Sequence, residues 1–244
     1  MVHHRCFHER GIHADVVPAD ADLTTYKLVI VPCVALLRPG FDALKACAHV
    51  LVDALSGWYD NESEIVNGGR PGPLGAALGL GPSEEMDVLR LDESVALTST
   101  EGWLPSSASA IGHCDLVRLN GAEPVATYAE EFYEGRAALT RHCSGKGTAW
   151  YLACRLEHDS LAHLLKRIAD EAGVVAPLPS VPRGVVVRER VQPDRRYLFV
   201  INPQPAPTVV TIGAGWHDGM GEGEAPEVLE LGPHDARALT QRTP

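Results

Sequence analysis

Four short stretches of this sequence carry side chains or backbone able to do chemistry. Residues 67–75, NGGRPGPLG, set four glycines and two prolines around Arg70, a composition suited to wrapping backbone donors about a phosphate. A phosphate cradle of the GxxxxGK[ST] type needs a lysine to reach the anion, and a dinucleotide loop needs GxGxxG directly after a buried strand. Here Arg70 is followed by Pro71, and Pro71 and Pro73 have no N–H to offer. The stretch therefore predicts a structural loop that leads into a helix. SGKGT (144–148) has the look of the end of such a motif, but Thr140 stands where its first glycine belongs, so a hairpin turn is the expectation.

The N-terminus offers His3, His4, Cys6 and His8, with His4 and His8 one helical turn apart, a spacing that can hold a metal. No second pair of ligands stands elsewhere to complete it, and no metal is assigned. Cys33, in IVPCVAL, lacks the flanking glycines of a nucleophile elbow. Glu130, Glu131 and Glu134 are close in sequence, but a glycosidase needs two carboxylates opposed across a rigid site, and a run of acids reads more simply as a solvated edge. On these grounds no catalytic, cofactor-binding or metal-binding residue is assigned.

The elements that would position these residues read as α/β followed by all-β. RCFHERG (5–11) ends a helix at Gly11, and ADVV (14–17) and KLVIVP (27–32) read as strands, the second apolar enough to be buried on both faces. A helix over 39–47 and a strand HVLV (49–52) continue a parallel alternation. Pro73 and Gly79 bracket a short helix. From 84 to 154 the texture is β-rich, with NGAEP (120–124) and CSGKGT (143–148) as hairpin turns. A helix over 159–172 is capped by Asp159 or Ser160, buries Leu161, Leu164, Leu165, Ile168, Ala169 and Ala172, and ends at Gly173. VVAPLPSVPRG (174–184) is the predicted linker, after which GVVVRERV, RRYLFVIN, PTVVTIG and PEVLEL read as the strands of a small antiparallel β-sandwich.

Composition narrows the function classes. With 32 Asp and Glu against 21 Lys and Arg, the 244-residue chain has a formal charge of −11 and no basic cluster, which argues against nucleic acid or an anionic membrane as partner. No apolar run reaches the roughly 18 residues of a spanning helix, and the N-terminus lacks a signal-peptide core, so a cytoplasmic location is expected. Six cysteines stand singly without a CxxC pair, which predicts reduced, mostly buried thiols.

Four collinear segments then carry a resemblance. GIHADVVPADADLTTYKLVIVPCVALL, SGWYDNESEIVNGGRPGPLGAALG, VATYAEEFYEGRAALTRHCSGKGTAWYLACRLEHDSLAHLL and GVVVRERVQPDRRYLFVINP resemble, in order, the C-terminal half of family 42 β-galactosidases. Such enzymes are trimers of a catalytic (β/α)8 barrel, a flavodoxin-like (class I glutamine amidotransferase-like) trimerisation domain and a small C-terminal β domain. The resemblance implies that residues 1–176 are the trimerisation-like domain and 183–244 the C-terminal β-sandwich. It implies a non-catalytic assembly portion, because the family's acid/base and nucleophile glutamates, and the zinc site of some members, belong to a barrel that would precede residue 1. The implied partners are further copies of the chain in a trimer and a catalytic barrel in cis or trans; no cofactor is implied. Two departures are expected to show. The chain starts inside the first helix, so the parallel sheet lacks its first strand, and LKACA runs into HVLV a few residues short. The alternatives are a stand-alone oligomeric scaffold or binding domain with no glycosidase role, and an amidotransferase-type enzyme, which requires a reactive cysteine at a strand–helix elbow.

Overall fold

A computed structural model describes residues 2–18, 20–36, 49–60, 62–144, 147–221 and 223–242. In chain order the elements begin with α1 (Val2–His8), β1 (Val29–Val31), β2 (His49–Asp53), a 3-10 turn (Gly72–Leu74), α2 (Gly75–Leu78), β3 (Leu80–Gly81) and β4 (Met86–Val88). There follow β5 (Ser94–Ser99), β6 (Ser109–Asp115), β7 (Arg118–Leu119), β8 (Glu123–Tyr128), β9 (Ala137–Ser144), β10 (Gly147–Leu152), β11 (Cys154–Leu156) and α3 (His158–Glu171). The chain ends with β12 (Val186–Val191), β13 (Arg195–Asn202), β14 (Thr208–Thr211), β15 (His217–Asp218), β16 (Val228–Leu231) and β17 (Asp235–Arg242). Two compact units result: Val17–Val174, and Met1–Val16 with Val175–Pro244.

The Val17–Val174 unit is built on one mixed sheet in the order β1-β2-β10-β9-β8-β5-β6-β11, with β4 also on β6. Parallel pairing is confined to β1, β2 and β10, in the registers Val29↔Val50 and Val50↔Ala149; the other pairs are antiparallel. The three parallel strands are VIV, HVLVD and GTAWYL, apolar on both faces as a covered parallel sheet demands. One face packs Val31, Val50, Val52, Ala149 and Tyr151 against Leu74, Leu78 and Leu80. Trp150, which points to the other face, meets Trp103 at 6.2 Å between ring centroids, and the Arg167 guanidinium of α3 lies 4.8 Å over Trp103.

Several expectations change. ADVV (14–17) makes no ladder: Val16 and Val17 are 71% and 39% exposed, since β-branched residues form a strand only where a partner takes their N–H and C=O groups. NGAEP (120–124) does not turn a hairpin. β7 before it pairs with β3, while β8 after it pairs with β5 and β9, and the turn docks instead by Asn120 and Ala122 N–H donation to Gly79 O. CSGKGT does join the antiparallel pair β9–β10, with Gly145 and Lys146 outside the described residues. The helix expected over 39–47 and the short LKACA junction lie outside the described residues too. Helix α3 buries the residues its spacing predicts, but its N-cap is Glu157, whose backbone is extended and whose side chain does not cap. Cys6, Cys114 and Cys154 are buried, whereas Cys33 and Cys143 are exposed.

In the other unit β12-β13-β17-β15 form one antiparallel sheet and β14-β16 a second. Their inner faces enclose Val187, Leu198, Val200, Val210, Ile212, Trp216, Leu229, Leu231 and Leu239. The predicted linker contributes to this core: Leu178 is 2% exposed and Val181 packs against the cluster. β17 (DARALTQR) escapes a propensity reading because alanine, arginine and glutamine are poor strand formers; its register with β13 over eight pairs makes it a central strand. Helix α1 sits with this unit, where Gly11, at φ +71, lets the chain pass so close to Val181 and Val187 that a Cβ would come within 3.2 Å of each.

Candidate functional site

Ligands of α/β folds bind at the carboxyl ends of the parallel strands, so the residues there are the ones to weigh. Two residues after β1, Cys33 takes φ +52, and two residues after β2, Leu55 takes φ +64. Non-glycine residues held at positive φ are strained and mark turns that the surroundings impose. Leu55 contributes only its N–H, which donates to Asp115 Oδ2 at 3.4 Å. Cys33 stands in the bend that follows β1, with no glycine beside it. Burial, Asp53 and Asp115 all push its thiol up, away from the thiolate that a nucleophile requires.

The NGGRPGPLG loop closes over the same end of the sheet, and five of its backbone donors are spent on the chain itself. Gly69 N–H donates to Val66 O, Arg70 N–H to Ser83 O, Gly72 N–H to Gly69 O, Leu74 N–H to Pro71 O and Gly75 N–H to Gly72 O. The loop is a structural one, and the short helix after it stops at Gly79, whose φ of +64 ends it in the left-handed region.

Arg70 supplies the chemistry that matters at this loop. Its side chain is 7% exposed and donates from Nη2 to Asp115 Oδ1 at 3.0 Å, Asp115 being 3% exposed. The guanidinium also lies 4.6 Å from the centroid of the Trp58 ring. Asp115 Oδ2 accepts from the Tyr151 hydroxyl at 2.7 Å, and burial beside that carboxylate raises the phenol well above its ordinary range, so it remains a donor. The Tyr128 hydroxyl is 3.2 Å from the Asp115 carbonyl and 3.1 Å from that of Ala153. One buried ion pair thus ties the loop, β6, β10 and the turn after β2 to one another. The sequence signal was present in HCDLV, where a carboxylate interrupts an apolar strand; a buried acid requires a partner. What sequence could not supply was Arg70, 45 positions away, as that partner.

The other candidates disperse. His4 and His8 face each other at 6.1 Å, but Cys6 is buried and His8 Nδ1 abuts the Arg188 guanidinium. Burial and Arg188 lower the His8 pKa. Among the described residues no group of three or more His, Cys, Asp or Glu side chains is placed to hold a metal ion. Glu130, Glu131 and Glu134 are exposed in the loop between β8 and β9, around an 84% exposed Phe132. Neither unit is a (β/α)8 barrel, and among the described residues no helix is long and apolar enough to cross a membrane.

Residues 1–175 match the family described as the β-galactosidase trimerisation domain. The chain is 36% identical over 200 residues to a β-galactosidase of Planococcus sp. (strain L4), covering 79% of this chain and 29% of that protein. It is 33% identical over 233 residues to a β-galactosidase of Alicyclobacillus acidocaldarius, covering 92% and 34%. Among solved structures, the β-galactosidase of Bacillus circulans sp. alkalophilus superposes with a TM-score of 0.92 at 27% identity, over 98% of this chain and 36% of that one. That of Rahnella sp. R3 gives 0.89 at 28% identity, over 99% and 36%. The chain spans about a third of the length of these relatives.

Proposed function

The chain belongs to the β-galactosidase trimerisation-domain family, and from that premise we propose that it is the non-catalytic assembly portion of a family 42 enzyme that hydrolyses terminal β-D-galactosides. The observation that carries this is the match of nearly the whole chain to about a third of solved β-galactosidases. Its parallel strands β1, β2 and β10 are read as part of a flavodoxin-like sheet, which their parallel pairing supports. Residues 1–176 are assigned to assembly and 183–244 to the C-terminal β-sandwich, a division that the family match to 1–175 supports. No residue is assigned to catalysis, and activity requires a barrel supplied in cis or trans.

Sedimentation velocity of the purified chain, with an assay on a chromogenic galactoside, tests the reading. A species of three times 26.2 kDa without hydrolysis is the expected outcome. A monomer at every concentration, or hydrolysis by the purified chain, overturns it.

A further inference from the structure

Cyclic trimers impose a condition that dimers do not. A three-fold ring has no two-fold contacts, so each copy must carry two unlike patches, one meeting the other on the next copy. Two surfaces of this chain are unlike in that way.

The first is the outward face of the β12-β13-β17 sheet. Alternation along the strands and the registers Arg188↔Phe199, Phe199↔Ala238 and Arg195↔Arg242 put Val186, Arg188 and Arg190 of β12 on this face. The same alternation adds Arg195, Tyr197, Phe199 and Ile201 of β13 and Ala236, Ala238, Thr240 and Arg242 of β17. No Asp or Glu stands at these positions. The acids of the three strands, Glu189 and Asp235, have the opposite parity and pair with Arg196 and Arg237. Phe199 and Ile201 are 37% and 38% exposed. A solvated antiparallel face is normally polar, so β13 reads as a strand meant to be covered on both sides. Arginine and aromatic side chains without carboxylates are what the centre of a protein interface collects. Arg188 and Arg190 lie beside His8 and His13 of the same unit, which leaves Arg195 and Arg242 at the exposed end.

The second surface is acidic. Residues 17–174 hold 22 Asp and Glu against 12 Lys and Arg, which accounts for −10 of the chain's −11. On this unit the 130–135 loop presents Glu130, Glu131, Phe132 and Glu134, all exposed. Tyr133 fixes the loop to β4 by donating to Asp87 Oδ2 at 2.7 Å, ahead of a turn in which Arg90 and Glu93 pair with each other. Glu130, Glu131 and Glu134 beside the exposed Phe132 complement the arginines beside Phe199 and Ile201 in both charge and apolar content.

We propose that the arginine and aromatic sheet face of one copy binds the acidic Phe132 loop of the next copy, and that this head-to-tail contact closes the trimer. The proposal rests on the assembly reading above. Opposed charges bring the copies together and set the register, and the aromatic centres contribute the buried area.

The test uses the full chain in four forms, followed by sedimentation velocity with far-UV circular dichroism as a check on folding. They are the wild type, Arg195→Glu with Arg242→Glu, Glu130→Lys with Glu134→Lys, and all four changes in one chain. The substituted residues are exposed, so folding is expected to be kept. Each one-sided variant should associate about tenfold more weakly or worse, and the fourfold variant should recover, because every contact in its ring again joins opposite charges. A wild-type trimer untouched by either pair of changes overturns this surface and leaves the trimer standing. Two weakened variants without recovery in the fourfold chain show that the patches do not meet each other, which also overturns it. A monomeric wild type overturns the assembly reading and this contact together.

Discussion

Replacing Asp115 by alanine leaves the Arg70 guanidinium, 7% exposed, with no carboxylate beside it and the Tyr151 hydroxyl without its acceptor. Removing one partner of a buried ion pair costs about 3–5 kcal/mol, because the remaining charge stays desolvated. An orphaned buried hydroxyl adds about 1–3 kcal/mol. Stacking on Trp58 at 4.6 Å softens the loss only slightly, since cation–π attraction is of order 1–2 kcal/mol. The net expectation for Asp115→Ala is a loss of about 4 kcal/mol or more from the Val17–Val174 unit, a large share of a typical domain's stability. Arg70→Met combined with Asp115→Leu removes both charges and should lie within about 2 kcal/mol of the wild type, which makes the pair strongly non-additive. Urea unfolding followed by tryptophan fluorescence measures this, as Trp58, Trp103 and Trp150 all lie in that unit and only Trp216 in the other. A cost below about 1 kcal/mol for Asp115→Ala, or a double variant equal to the sum of its singles, refutes the idea that this buried pair holds the loop to the sheet.

Two of the loop's four glycines, Gly68 and Gly69, should separate strain from collision. Gly69→Ala puts a Cβ 2.5 Å from Ser83 O at φ +92 and should cost about 2–4 kcal/mol. Gly68→Ala, at φ +89 with nothing nearer than 4.0 Å, should cost about 1–2 kcal/mol in the same urea titration. Burial lowers the His113 pKa below the ordinary 6.5 despite the attraction of Asp115. The unfolded chain therefore takes up this proton before the folded one, and the stability it contributes is complete above pH 6.5 and falls as pH drops through and below that value. His113→Gln should flatten this part of the stability–pH curve, and an unchanged slope counts against the assignment. Alkylation followed by peptide mass spectrometry should find Cys33 and Cys143 modified in the native chain, with Cys33 accelerating steeply as pH rises, while Cys114, pushed up to about 11 by burial, and Cys154 react only after denaturation.

Periodicity carried what is local in this fold. The run KLVIVP had to be a covered strand and HVLV a strand beside it, the i, i+3, i+4 pattern of Leu161 to Ala169 had to bury one helix face, and the prolines of NGGRPGPLG removed the donors a phosphate loop needs. The identity of the four collinear segments was legible as well, because a family resemblance is a property of the sequence. Pairing was not legible, since it depends on residues far apart. ADVV has strand propensity but no ladder, NGAEP has hairpin composition but joins strands with different partners, and DARALTQR has little propensity yet lies at the centre of a sheet. The same holds at the site: HCDLV announced a buried acid, and only the folded chain brought Arg70 and Tyr151 to it. Alternation places Phe199 and Arg195 on one face, but tertiary structure decided that Phe199 and Ile201 there stay 37% and 38% exposed, because burial depends on which surfaces the whole chain brings together.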